Sequence, residues 1–262
     1  MAEPFVTQDW GQFDPTAYLN EYYGDIGSEN LALLRFLAET YQDLPKGGVL
    51  LDFGAGPTIY TLISAVSRVD EIHFSDYLEA NLAEVRRWIS GDSGAFDWDD
   101  FIRKALELET GAPCSDADVE QRARDIRTRV TRLIRCDASR TPPIDCPQEL
   151  YDVVLTNFCA ESATSDRDQW RAYMANIVSV LKPGGRLIMS ALKGATRYAV
   201  GSRSFPAVDI SEDDLIELLE ETGFPRKGID VRSVPADRDT RDYEGLMLAV
   251  AEKEPDPSQG GM

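Results

Sequence analysis

The chain has 262 residues, 43% of them apolar, enough to bury the core of one large α/β domain or two small ones. Its 27 basic and 46 acidic residues leave a net charge of −19, which disfavours nucleic acid and anionic membrane as partners. No run approaches the ~18 apolar residues of a membrane helix, and the start MAEPFVTQDW lacks signal-peptide character, so a cytoplasmic protein is expected. Four cysteines (Cys114, Cys136, Cys146, Cys159) without CxxC spacing and a single histidine, His73, argue against a zinc set, a disulfide frame and a Ser-His-Asp triad.

The first 45 residues hold no strand pattern, and Tyr18, Tyr22 and Tyr23 fall on a helix, which reads as an N-terminal lid. An apolar strand over 48–53 enters the turn Gly54-Ala55-Gly56-Pro57, and a helix is predicted over 58–66. A second strand over 71–75 ends at Asp76, placed to cap a helix over 77–89 with Glu79 in capping-box position. This β-α-β-α order predicts a parallel sheet with helices on both faces. Residues 91–128 break the rhythm and read as an inserted cap with a charged helix over 116–128. Strands over 130–135 and 151–157 resume the core, and a helix over 167–181 is stopped by Lys182-Pro183-Gly184-Gly185 before a strand over 186–191. Ser211 caps a helix to 221, strands follow over 228–234 and 244–251, and 253–262 reads as a flexible tail of a single domain spanning 1–262.

In a doubly wound sheet, ligands lie beyond the carboxyl ends of the strands. Here those ends carry the glycine turn, then Asp76, then Asp137, then Asn157 and Glu161. An acid ending strand two suits the paired hydroxyls of a ribose, and an Asp after strand three suits an adenine amino group. The third glycine of GxGxxG is replaced by Ile59, which disfavours a pyrophosphate at the helix N-terminus. S-adenosylmethionine carries no phosphate, and its sulfonium and amino group match carboxylates and tyrosine faces. Each site residue has a plain structural reading beside the functional one: Asp76 as a helix cap, Asp137 as a turn residue, Glu161 as a cap or solvated acid, and Cys136 and Cys159 as small buried hydrophobes. Among the three tyrosines, Tyr22 is the one assigned to packing.

The stretches FDPTAYLNEYYG, LLDFGAGPTIY, SDYLEANL, AFDW, RCDAS, LTNFCAES and LKPGGRLIMSALK resemble the nicotinamide, phenylethanolamine and thioether/indolethylamine N-methyltransferase family, over about 13–250. The resemblance implies a class I methyltransferase (Rossmann-like) seven-stranded sheet of order 3-2-1-4-5-7-6, with an N-terminal helical lid and an insertion before strand three. It implies an enzyme that methylates a nitrogen of a small amine or pyridine-like acceptor. It also implies cofactor contacts from Tyr18, Tyr23, Gly54, Ala55, Tyr60, Asp76, Tyr77, Asn81, Asp137, Ala138 and Asn157, a catalytic role for Glu161 and an acceptor pocket at Tyr198. Ser190 stands where family members place an acid that binds the acceptor, which points away from nicotinamide. No metal is implied, and the state expected is a monomer or weak dimer. Two alternatives stay open: intramolecular cyclisation or lysis of the cofactor releasing methylthioadenosine, and a non-catalytic cofactor-binding module.

Overall fold

Apolar residues in short β-branched runs dictate strands buried on both faces. The computed structural model describes residues 7, 9–145, 150–237 and 242–255. In chain order the chain forms helices α1 (Pro15–Tyr23) and α2 (Gly27–Gln42), then strands β1 (Val49–Phe53) and β2 (Glu71–Asp76). Three helices follow, α3 (Glu79–Ile89), α4 (Asp99–Thr110) and α5 (Asp116–Arg129), before β3 (Val130–Arg135) and β4 (Tyr151–Asn157). The remainder is α6 (Arg167–Ser179), β5 (Leu181–Lys193), a hairpin of β6 (Arg197–Val200) and β7 (Arg203–Pro206), α7 (Glu212–Glu221), β8 (Ile229–Pro235) and β9 (Gly245–Glu252).

Seven strands pair in the order β3-β2-β1-β4-β5-β9-β8, which is the expected 3-2-1-4-5-7-6 once the separate β6–β7 hairpin is left out. β9 runs antiparallel to both neighbours, and the other pairings are parallel. Side-chain alternation then divides the core. Leu50, Val153, Leu155, Ile188 and Leu248 pack with α2–α5 on one face, whereas Leu51, Val154, Leu187, Met189 and Met247 pack with α6 and α7 on the other. Helix ends are fixed locally: Asp14 accepts the N–H groups of Thr16 and Ala17, and Ser115–Asp118 and Ser211–Asp214 form capping boxes.

The structure corrects several expectations. Residues 58–66 do not form one α-helix but two 3-10 turns, Tyr60–Leu62 and Ala65–Ser67. The hydroxyl of Thr58 donates to the Ala55 carbonyl and that of Thr61 to the Asp52 carboxylate, contacts that compete with a regular helix. Asp76 is not a helix cap: α3 starts at Glu79, its N-cap Leu78 has no side-chain cap, and Glu79 pairs with Arg86 at 3.3 Å. Within 91–128 a second helix, α4, buries Phe101, Ile102, Ala105 and Leu106 on one stripe. The helix before KPGG ends at Ser179, and β5 runs through the glycines across a register shift, so it begins earlier and ends later than 186–191. The start of the tail is anchored, since the Lys253 N–H donates to the Gly185 carbonyl at 2.9 Å; residues 256–262 lie outside the described residues, as does Cys146.

Trp98 of the AFDW stretch is 1% exposed and packs on the rings of Phe96 (4.8 Å between centroids), Phe101 (5.2 Å) and Tyr23 (5.4 Å). Trp98→Ala is expected to cost about 3–5 kcal/mol in urea unfolding. A loss below about 1 kcal/mol would contradict this packing.

Candidate active site

A cavity of about 310 Å³ opens beyond the carboxyl ends of β1 to β5, within the range of small-molecule sites. Its first wall is the turn after β1. Gly54 and Gly56 adopt φ of 66° and 65°, and a Cβ on Gly54 would sit 2.2 Å from the Cys159 sulfur, so glycine is required there on both counts. The Ala55 N–H donates to the Ser75 carbonyl at 3.0 Å, which ties the turn to β2.

Asp76 closes that junction. Its Oδ2 accepts the Gly56 N–H at 2.8 Å, and its Oδ1 accepts the Leu78 N–H at 2.7 Å and the Asn81 side-chain amide at 2.9 Å. Burial raises its pKa, and these three donors oppose the rise. Three donors leave about one of the carboxylate's four lone-pair sites for a ligand hydroxyl. At the end of β3, Asp137 Oδ1 accepts the N–H and hydroxyl of Ser139 at 2.9 and 2.6 Å, and the Ala138 carbonyl accepts from Asn176 at 2.8 Å. At the end of β4, Asn157 takes the Ser190 hydroxyl on Oδ1, while its amide nitrogen, buried in the cavity wall, has no partner among the described residues. Phe158 follows with φ of 50°, a left-handed conformation that a bulky residue rarely adopts and that clusters at functional sites.

The opposite wall is aromatic. Tyr18 lies 5.7 Å from Tyr23, and Tyr23 stacks on Tyr60 at 5.2 Å. Their hydroxyls bond in the order Tyr18, Tyr23, Tyr60, and burial holds all three pKa values above the ordinary tyrosine range, keeping them as donors. Tyr77, 45% exposed, lies at the rim with the Arg135 guanidinium 5.6 Å from its ring centre. Tyr198 stacks on Phe205 at 5.7 Å, and Trp10 covers Phe205 at 5.1 Å.

All eleven residues expected to contact a cofactor line this one cavity, as does Tyr198. Tyr22, assigned to packing, lines it too, and its hydroxyl donates to the Ala199 carbonyl at 2.8 Å. Cys136 and Cys159, read as small buried hydrophobes, also reach the wall, where burial pushes both thiols up. Ser190 and Glu161 are not on the wall. Ser190 is turned into β5's packing with Asn157. Glu161, 1% exposed, lies directly behind it: Oε1 accepts the Leu192 N–H at 3.1 Å and the Ser162 hydroxyl at 3.2 Å, and both Leu192 and Ser162 do line the cavity. Burial raises the Glu161 carboxyl to about 7. Residues that the sequence reading missed include Glu29, Phe13, Leu33, Tyr243 and Leu246, brought to the wall by the N-terminal segment, α2 and the start of β9. Among the described residues no cluster of His, Cys, Asp and Glu is placed to hold a metal, and no helix is long and apolar enough to cross a membrane.

The orphaned Asn157 amide, the glycine cradle, the acids after β2 and β3 and the tyrosine hydroxyls fit a nucleoside that carries an amino-acid arm. Together with the strand order they define a class I S-adenosylmethionine-dependent methyltransferase. The chain belongs to the NNMT/PNMT/TEMT family, whose model matches residues 6–254. It is 32% identical to the indolethylamine N-methyltransferase of Mus musculus over 93% of this chain and 94% of that one. It is 30% identical to the phenylethanolamine N-methyltransferase of Homo sapiens over 95% and 91% of the two chains. Among solved structures, a DhpI–SAM–HEP complex shares the fold with a TM-score of 0.57 at 14% identity, covering 96% of this chain and 99% of that one.

Beneath the glycine turn, Asp52 is 1% exposed; Oδ2 accepts the Thr61 hydroxyl at 2.7 Å, Oδ1 has no partner among the described residues, and burial raises the pKa to about 7. Between the ordinary value of 3.8 and about 7 the folded chain therefore holds a proton that the unfolded chain has lost. This contribution is complete below about pH 4 and is lost as pH rises through about 7. Asp52→Asn is expected to flatten the fall of Tm between about pH 4 and 7 and to raise Tm at the alkaline end. Parallel Tm profiles for the two proteins would rule this out.

Proposed function

We propose that this methyltransferase transfers the methyl group of S-adenosylmethionine to a nitrogen of a small, neutral or cationic acceptor with an apolar or aromatic body. One observation carries the reading: among the described residues, the cavity wall contains Glu29, Asp76 and Asp137 but no Lys, Arg or His. Such a wall suits a sulfonium donor and an amine, and opposes a phosphorylated or carboxylated acceptor.

When bound, S-adenosylmethionine supplies a methyl group made electrophilic by its sulfonium. The chain's residues then mainly position and desolvate, effects worth about 7–11 kcal/mol when the reacting atoms are held in line. Asp76 and Asp137 would hold the nucleoside, and the Asn157 amide would donate to the amino-acid arm, with the Tyr18 and Tyr23 rings and hydroxyl oxygens lining it. The reading of the N-terminal segment as a lid is supported by two contacts to the β6–β7 hairpin: the Thr7 N–H donates to the Ser204 carbonyl at 2.8 Å, and Glu21 accepts the Gly201 N–H at 3.1 Å. Helices α4 and α5, in the segment read as an inserted cap, pack against α2 and β3 and contribute no residue to the cavity wall. An ammonium acceptor must lose a proton before it attacks. We assign that proton to Ser162 Oγ, whose own proton passes to Glu161 Oε1, which makes Glu161 a positioning and proton-accepting group behind the wall.

The cyclase or lyase reading and the non-catalytic reading have no observation in their favour, since the cavity extends past the cofactor-binding strand ends to a separate aromatic wall. The charge of −19 supports a small-molecule partner over nucleic acid, and we take the protein to be a cytoplasmic monomer or weak dimer.

Incubation with S-adenosylmethionine and a panel of amines should yield S-adenosylhomocysteine only when an acceptor is present, with a product heavier by one methylene. Methylthioadenosine formed without acceptor would overturn the reading. With an amine acceptor, kcat/KM should climb as pH passes about 7, and Glu161→Gln should lose that limb while binding the cofactor as before. Superimposable pH profiles would remove Glu161 from the proton path.

A further inference from the structure

Glu29 stands in the first turn of α2, 7% exposed, and lines the cavity. Its Oε1 accepts the Asp237 N–H at 3.0 Å, and its Oε2 accepts the Tyr243 hydroxyl at 2.9 Å. Two neutral donors fill about half of a carboxylate's acceptor capacity and fix its direction, leaving the remaining lone pairs for a ligand. Glu29 forms no ion pair with a Lys, Arg or His among the described residues, although a buried carboxylate is costly without a cation.

Its place in the wall separates it from the nucleoside. The acids at the ends of β2 and β3 lie toward one edge of the sheet, whereas Glu29 meets the other side through Tyr243 and Leu246 at the start of β9. Leu246 pairs with Leu192 of β5, whose N–H holds Glu161. Leu33, one helical turn beyond Glu29, lines the same wall. An apolar surface ending in an oriented carboxylate with no cationic partner among the described residues is complementary to an apolar body with a positive end.

We propose that Glu29, fixed by the Tyr243 hydroxyl and the Asp237 backbone, is the specificity-determining anion that receives the positively charged group of the acceptor. This rests on the methyl-transfer reading above and adds to it the residue that selects for charge. An ammonium presents three hydrogens, so the group that reads its charge and the group that takes its proton are separate residues. Glu29 thereby sets KM for cationic acceptors, and Glu161 sets the pH limb.

The test is calorimetric titration of the S-adenosylhomocysteine complex with 2-phenylethylamine, its neutral isostere 2-phenylethanol and the anion phenylacetate. The amine should bind at least about tenfold tighter than the alcohol, and phenylacetate more weakly than either. Glu29→Gln should weaken the amine by about tenfold or more while leaving the alcohol and S-adenosylhomocysteine within about twofold. Glu29→Asp, which keeps the charge and withdraws it by one methylene, should fall between the two, and it carries the test if the Gln variant does not fold. Equal binding of amine and alcohol, no binding of the amine by the unsubstituted protein, or unchanged amine affinity in the variants would overturn the proposal. A parallel loss of S-adenosylhomocysteine affinity would assign Glu29 to the cofactor and overturn it equally. Because the readout is binding, absence of turnover with every acceptor would count against the methyl-transfer reading alone.

Discussion

One carboxylate joins two loops that the chain order separates. Asp76 receives N–H groups from Gly56, Leu78 and Asn81, so the turn after β1 and the loop after β2 are held at one point. Without those donors the buried charge would be strongly disfavoured, and without the charge the turn would lose its tie to β2. The positive φ of Gly54 and Gly56 is then the backbone solution that brings the turn close to Asp76 and Cys159. A ligand entering here meets a preorganised ring of polar atoms with little left to rearrange, which lowers the cost of binding.

Around that point the wall divides by chemistry. The ends of β2 and β3 offer acids for sugar and base, the N-terminal helices offer tyrosine hydroxyls and rings, and the far side offers Glu29 and apolar side chains. Desolvation acts throughout, raising Asp52 and Glu161 to about 7 and keeping the wall tyrosines protonated. A site that is both dry and anionic concentrates cations and rejects anions, so electrostatic selection here is a property of the whole wall, with Glu29 as its most directed element.

The sheet was legible because a two-residue period and near-continuous apolar runs have few other solutions, and the strand-end acids followed from where such sheets place ligands. The segment after Pro57 was misread because its path is decided by the hydroxyl contacts of Thr58 and Thr61, one of them to a buried residue on β1. α4 carried a helical apolar stripe, hidden behind a Gly- and Asp-rich lead. The β6–β7 hairpin turns at Gly201 and ends in Pro206, so its composition reads as loop. Glu161 and Ser190 illustrate a different limit: Glu161 follows β4 as expected and Ser190 lies within β5, yet the direction of each side chain depends on partners such as the Leu192 N–H and Asn157. Glu29 gave no signal, because an acid in the first turn of a helix is ordinary macrodipole chemistry until Tyr243, more than two hundred residues away, is folded against it.

The most direct measurement is a crystal structure with S-adenosylhomocysteine. The account places the ribose at Asp76, the adenine at Asp137 and the amino-acid arm among Tyr18, Tyr23 and Asn157, leaving the space beside Glu29 and Tyr198 free for an acceptor. A nucleoside seated beside Glu29, or an amino-acid arm at Asp137, would contradict it.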